Sequence, residues 1–295
     1  MKKHDDKISD QVAKADHLGR IYQRLGDIEK SVDAYETLLE LNAANLDTYK
    51  KIIRAKGIEL PDNPSKNPLS EPSKEQIKEI LDDYRKKFPR ISAHLRLGLR
   101  YLTGDSFTEY LETYMRPMLI KGVPSMMMDM REFYDQPDKV KRINDFLVTC
   151  IASMESDMTL KAGDEQEQDP TVQLWLYYFM SQHQMYQNNL SEAMEFVNKA
   201  IEHTPTLLEL YTLKGKIYQK SGDRVRAAEL HEEARNLDKA DRAINAISAM
   251  YTLKTGDVEK GTGIMDIFVK DCGYDVSIHD NQTMWFEHQT GCAHY

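Results

Sequence analysis

The stretches LGRIYQRLGD at 18–27 and KGKIYQKSGD at 214–223 spell nearly the same ten residues, and an internal repeat constrains a fold more than any composition does. Aligning them brings AKADHLGRIYQRLGDIEKSVDAYETLLELNAAN (13–45) into register with LELYTLKGKIYQKSGDRVRAAELHEEARNLDKA (208–240). A third copy, WLYYFMSQHQMYQNNLSEAMEFVNKAIEHTPTL (175–207), places Tyr177, Ala193 and Ala200 one period before Tyr211, Ala227 and Ala234. A fourth opens near Asp241, with Gly256-Asp257 one period after Gly222-Asp223. Across the three consecutive copies from 175 onward the spacing is 34 residues each time. Units this short cannot bury an apolar face alone, so consecutive copies must stack.

The period and the helix-break-helix pattern resemble the tetratricopeptide repeat. The resemblance implies an all-α fold, a tetratricopeptide-repeat superhelix in the form of a right-handed α-solenoid of helical hairpins. Gly19 and Gly215 fall at the small position of the first helix, where a side chain would hold the paired helices apart, so close packing offsets the helical penalty of about 1 kcal/mol for glycine. Gly26, Gly222 and Gly256 fall where the first helix stops, as left-handed caps. Ala193, Ala200, Ala227 and Ala234 supply small contacts on second helices, and Pro205 closes its unit. Tyr22, Tyr35, Tyr211 and Tyr218 read as core aromatics.

Outside the regular copies the chain reads as helical throughout, with no strand-period segment. Residues 1–55 form one or more N-terminal hairpins. Residues 56–76 are a Pro-rich loop, since the stretch up to Ser73 holds four of the ten prolines, and it reads as mobile. Ser73 and Gln76 have the spacing of a capping box opening the next helix. Degenerate hairpins follow over 77–160, with breaks at Phe88-Pro89, Thr103-Gly104-Asp105, Gly122-Val-Pro124 and Gln136-Pro137. An acidic loop covers 161–172, consecutive repeats 173–270, a loop 271–283, and a further repeat starts at 284–295. Met126, Met127, Met128 and Met130 are expected to fill an irregular core.

The bulk properties exclude several classes of function. A net charge of −9 argues against DNA or general nucleic-acid binding. No stretch approaches the roughly 18 consecutive apolar residues of a membrane span, and the chain reads as soluble and cytoplasmic. Cys150, Cys272 and Cys292 are too few and too widely spaced for a disulfide framework or a CxxC metal site. His279, His288, His294 and Cys292 match no common zinc spacing, so no metal is expected. P-loop, GxGxxG, GxSxG and HExxH signatures are absent, which points to a binding scaffold rather than an enzyme.

Two basic stretches interrupt the acidic background. Residues 84–104 carry six Arg or Lys and no acid, and 214–226 carry five against one. The plainer reading is a solvated helix face balanced by acids elsewhere. The functional alternative, for Arg85, Lys86, Lys87 and Arg90, is a phosphate contact to ribosomal or other RNA. Repeats that clamp the C-terminal carboxylate of chaperones do so with lysines, an arginine and asparagines on first helices. The corresponding positions here hold Asp16, Arg20, Phe179, Gln182, Glu209, Leu213 and Lys216, so that clamp is missing.

The segment IEHTPTLLELYTLKGKIYQKSGDRVRAAELHEEARNLDKADRAINAISAMYTLKTG (201–256) closely resembles the large auxiliary subunit of the eukaryotic N-terminal acetyltransferase A complex, as does the later QTMWFEHQTGCAHY. KFPR, YLTGDSF and KGVPS echo further elements, so the resemblance spans about 80–295, and the segment 1–75 matches only as tetratricopeptide. It implies a central piece of a longer, non-catalytic scaffold, with Tyr295 in the first helix of a further repeat. Such a scaffold encloses a catalytic subunit that binds acetyl-CoA, reshapes its peptide site and anchors the complex to ribosomes for co-translational N-terminal acetylation. The alternative is a repeat adaptor in RNA processing or ribosome association without an acetyltransferase. The resemblance also implies inositol hexakisphosphate binding, with Lys216, Lys220, Arg242, Tyr251 and Lys254 at the matching positions. Ile247 and Met250 stand where relatives commonly carry lysines, which implies a weaker site. No cofactor is expected in this chain itself.

Overall fold

The computed structural model describes residues 9–269, 277–281 and 283–294. Within them the chain forms helices and no strand. Contacts divide it into two compact units, residues 1–118 with 129–146, and 119–128 with 147–295.

The first unit opens with α1 (Gln11–Arg24) and α2 (Ile28–Leu41), followed by α3 (Leu46–Ala55). Gly19 lets α1 lie against α2: a Cβ built there would stand 2.3 Å from the Tyr35 ring, and Ser31 Oγ donates to the Gly19 carbonyl at 2.9 Å. Tyr35 is fully buried, whereas Tyr22 is only half-buried, with Lys30 above its ring. The segment after α3 is tied to the rest of its unit at several points. Ile58 and Leu60 are buried, Arg100 donates to the Asp62 carbonyl at 2.7 Å, and Ser65 Oγ donates to Asp135 at 2.9 Å.

The helix after this loop, α4 (Glu71–Lys87), begins before the expected capping box. Ser70 is the cap, with Pro72 inside the first turn and Ser73 at the position whose N–H the cap receives. Proline is tolerated there because first-turn N–H groups have no helical partner, so a proline-rich stretch hides a helix start. Next come α5 (Ala93–Tyr101), α6 (Gly104–Lys121), α7 (Met126–Met130), a 3₁₀ turn at Arg131–Phe133, and α8 (Pro137–Asp157). All four expected breaks coincide with helix ends. Met126, Met127 and Met130 are core, and Met128 is 63% exposed.

The second unit contains the regular hairpins α9 (Thr171–Tyr186) with α10 (Leu190–His203), α11 (Leu208–Ser221) with α12 (Arg224–Leu237), and α13 (Arg242–Leu253) with α14 (Val258–Val269), then α15 (Met284–Ala293). Small residues at matching offsets meet within each hairpin: Ser181 Oγ donates to the Ala193 carbonyl at 2.7 Å, a Cβ on Gly215 would stand 3.2 Å from the Ala227 carbonyl, and one on Gly261 3.5 Å from that of Ala249. Ala193, Ala200, Ala227 and Ala234 are fully buried. Between paired helices the chain turns at Gly222 (φ +95°) and Gly256 (φ +88°), as at Gly26 (φ +75°), while Asn188 (φ +67°) takes the turn of the third copy. Asparagine is the side chain best suited to that conformation. The aspartates after these glycines cap the second helices, Asp27 accepting from Lys30 N, Asp223 from Arg226 N and Asp257 from Lys260 N. The Gly-Asp pair is thus a stop and a start in two residues.

Tyr211 and Tyr218 are half-buried rather than core. Tyr211 instead ties its helix to the preceding turn, donating to the Pro205 carbonyl at 2.8 Å.

Candidate functional site

The expected polyphosphate residues lie on first helices of the second unit, Lys254 just past the end of one. Gly215 makes room for the ring of His231 from α12, because a Cβ at 215 would approach its Nε2 to 2.9 Å. That ring is 1% exposed and lies against Tyr251 of α13, with ring centroids 3.7 Å apart. Lys254 Nζ sits 4.5 Å from the Tyr251 ring. Lys216 is exposed, yet enough protein surrounds it for desolvation to hold its ammonium below the ordinary value. Burial first, then the charges of Lys216 and Lys254, push His231 down to about 3. Lys216, Tyr251 and Lys254 therefore gather around one buried, neutral imidazole.

The other two expected residues are placed differently. Lys220 is one helical turn from Lys216 and donates to the Met185 carbonyl at 2.5 Å. Arg242 opens α13, its guanidinium 5.5 Å from the Phe268 ring, and the run to Lys254 at about 1.5 Å per residue separates them by roughly 18 Å. Sequence reasoning missed His231. The signal was available, since the offset from Gly215 to His231 equals that from Gly19 to Tyr35, so both copies set a ring against the small position.

Beside this cluster a cleft of about 420 Å³ opens at the Gly256 turn, lined among others by Arg224, Lys254, Gln219, Gln289 and Cys292. Cys292 is exposed and Cys150 buried, Cys272 lies outside the described residues, and the described residues contain no group able to hold a metal ion.

In the basic stretch of the first unit, most charges are engaged within the protein. Arg85 pairs with Glu109 at 3.3 Å and Lys86 with Asp83 at 3.4 Å. Lys87 and the Tyr84 hydroxyl both donate to Glu36, each at 2.8 Å. Arg90 is exposed. A buried lysine also stands out nearby. Lys139, 2% exposed, donates to the carbonyls of Leu99 at 2.6 Å and Arg100 at 3.1 Å, between the rings of Phe107 and Phe133 at 4.9 and 4.7 Å. Burial pushes its ammonium down to about 8, and it caps the C-terminal end of α5.

Stacked hairpins with cationic groups gathered on first helices define a helical-repeat binding scaffold. The family described as N-terminal acetyltransferase A, auxiliary subunit, matches residues 1–295, and the chain belongs to that family. The match includes the segment 1–75, whose motifs alone resemble only the general repeat. The chain is 27% identical over 293 residues to the N-terminal acetyltransferase A complex auxiliary subunit NAA15 of Arabidopsis thaliana, covering 99% of this chain and 32% of that protein. It is 28% identical over 291 residues to the human N-alpha-acetyltransferase 16, NatA auxiliary subunit, covering 98% and 32%. It thus spans about a third of the length of these relatives. A chain in the solved structure of Naa15/Naa10 bound to HypK-THB superposes with a TM-score of 0.82 at 27% identity, over 97% of this chain and 40% of that one. Among the described residues no helix is long and apolar enough to cross a membrane.

Proposed function

We propose that this protein is part of the non-catalytic scaffold of an N-terminal acetyltransferase A complex, holding the catalytic subunit while that partner binds acetyl-CoA and acetylates nascent chains at cytoplasmic ribosomes. The supporting observation is the whole-chain membership in the auxiliary-subunit family, joined to the likeness to a chain from a Naa15/Naa10 structure. Co-expression with the catalytic subunit of the same organism tests it: the two proteins co-purify through size exclusion, and separate elution would overturn the reading.

A second reading, a repeat adaptor on ribosomes without an enzyme, draws on the 84–104 basic stretch. The engagement of Arg85 and Lys87 with internal carboxylates favours the acetyltransferase scaffold instead. Charge reversal of Arg85, Lys86 and Lys87 with loss of ribosome cosedimentation, in a complex lacking acetyltransferase activity, would reverse that preference.

Within the scaffold, the cluster of Lys216, Tyr251 and Lys254 is the proposed contact for inositol hexakisphosphate, since two ammonium groups on neighbouring hairpins suit a compact polyphosphate. Calorimetry on the chain with its catalytic partner is expected to show binding that Lys216→Met with Lys254→Met removes. The absence of heat with the wild type would sink this contact.

A further inference from the structure

We propose that His231 takes up a proton when a polyanion binds beside Lys216 and Lys254, so that this site holds its ligand more tightly as pH falls. The inference rests on the polyphosphate reading above and adds its regulation.

The geometry around the ring is unusual for a buried histidine. Neither ring nitrogen has a hydrogen-bond partner, although buried imidazole nitrogens are normally satisfied. Packing alone holds the ring: the bare backbone of Gly215 on one side and Tyr251 on the other. The charged and titratable groups facing it are Lys216 from α11, and Tyr251 and Lys254 from α13 and its end. On its own helix Glu232 is turned away, bonded to Arg235 and to Ser248. With the site empty, burial and two ammonium groups disfavour the imidazolium.

A polyanion changes the sign of that field. Once its phosphates pair with Lys216 and Lys254, the net charge facing the ring becomes negative, and the ring nitrogen that carries no hydrogen takes up a solvent proton. Ligand and proton then bind cooperatively, because each lowers the unfavourable charge the other meets. The alignment supplies a control: the first copy carries Tyr35 where this one carries His231, so a non-titrating ring fits the slot.

The test is calorimetry of this chain with inositol hexakisphosphate at pH 7.5, 6.5 and 5.5, comparing wild type with His231→Phe. The ligand's own phosphates titrate equally against both proteins, so the ratio of affinities isolates His231. We expect the wild-type advantage to grow by up to about tenfold per pH unit, the limit for one linked proton. Histidine ring ¹⁵N shifts of the wild type with and without ligand read the same proton directly, and serve if His231→Phe does not fold. Binding with a pH-independent ratio and a neutral ring overturns the coupling while leaving the polyphosphate site standing. No binding by either protein removes the site and the coupling together.

Discussion

A methyl group added at Gly98 would lie 2.0 Å from the Tyr110 ring, and that ring is fully buried with its hydroxyl donating to Asp82 at 2.9 Å. The ring has nowhere to move. Gly98→Ala is therefore expected to destabilise the first unit by about 1–3 kcal/mol through overpacking, read as a lowered urea midpoint. The turn glycines fail for a different reason: Gly222 has open space around its Cα but a φ of +95°. Gly222→Ala is expected to cost about 1–2 kcal/mol of backbone strain, and Gly222→Asn clearly less, as Asn188 already makes the equivalent turn. Lys139 gives a pH signature. Its folded-state value near 8 lies below the 10.5 of the free side chain, so between those values the unfolded chain binds more protons. The charged, buried form is unfavourable below about pH 8, and wild-type stability relative to Lys139→Met should rise by about 3 kcal/mol as pH climbs from 8 to 10.5. Matched urea titrations at the two ends of that window check it; a flat difference would mean that Lys139 is not held as described.

At the scale of helices, the Gly-Asp pairs and the cross-helix ion pairs decide how hairpins join. Asp223→Ala removes the acceptor for the Arg226 N–H and is expected to cost about 1 kcal/mol. Glu36 of α2 receives both Lys87 and Tyr84 of α4. Burial would raise its carboxyl, but those two hydrogen bonds prevail and hold it below the ordinary carboxylate value. A depressed carboxyl contributes stability above its unfolded value near 4.5, and the contribution fades as pH falls through the folded value. Glu36→Gln should therefore weaken the first unit at pH 7, by an amount that shrinks as pH falls below about 4.5. Lys87→Glu should also lower the melting temperature, while Lys86→Glu, from a pair with both side chains nearly four-fifths exposed, should not. The regular hairpins were legible because the repeat spacing fixes them, and the four interhelix breaks because glycine or proline stands at each. The start of α4 was not, because Pro72 tolerates both loop and first turn, and neither was the pinning of the 56–70 segment, which depends on Arg100 and Asp135 distant in sequence.

For the molecule as a whole, ligand binding and partner binding are the measurable consequences. If inositol hexakisphosphate occupies the Lys216–Lys254 cluster, the melting temperature of the second unit rises with ligand concentration, as mass action on the folded state requires, and the shift shrinks at high salt. Lys220→Met should reduce it less than Lys254→Met, since Lys220 is engaged with the Met185 carbonyl, and Arg242→Met should barely reduce it. By itself the sequence determined the repeat, the helical hairpins, the placement of small residues and caps, and the family, because each is a local or periodic property written in the order of residues. Only the tertiary structure decided which cations are free and which are engaged by neighbours, and that a partnerless imidazole lies at the centre of the cluster. Those are distances between side chains on different helices, and periodicity along a chain carries no information about them.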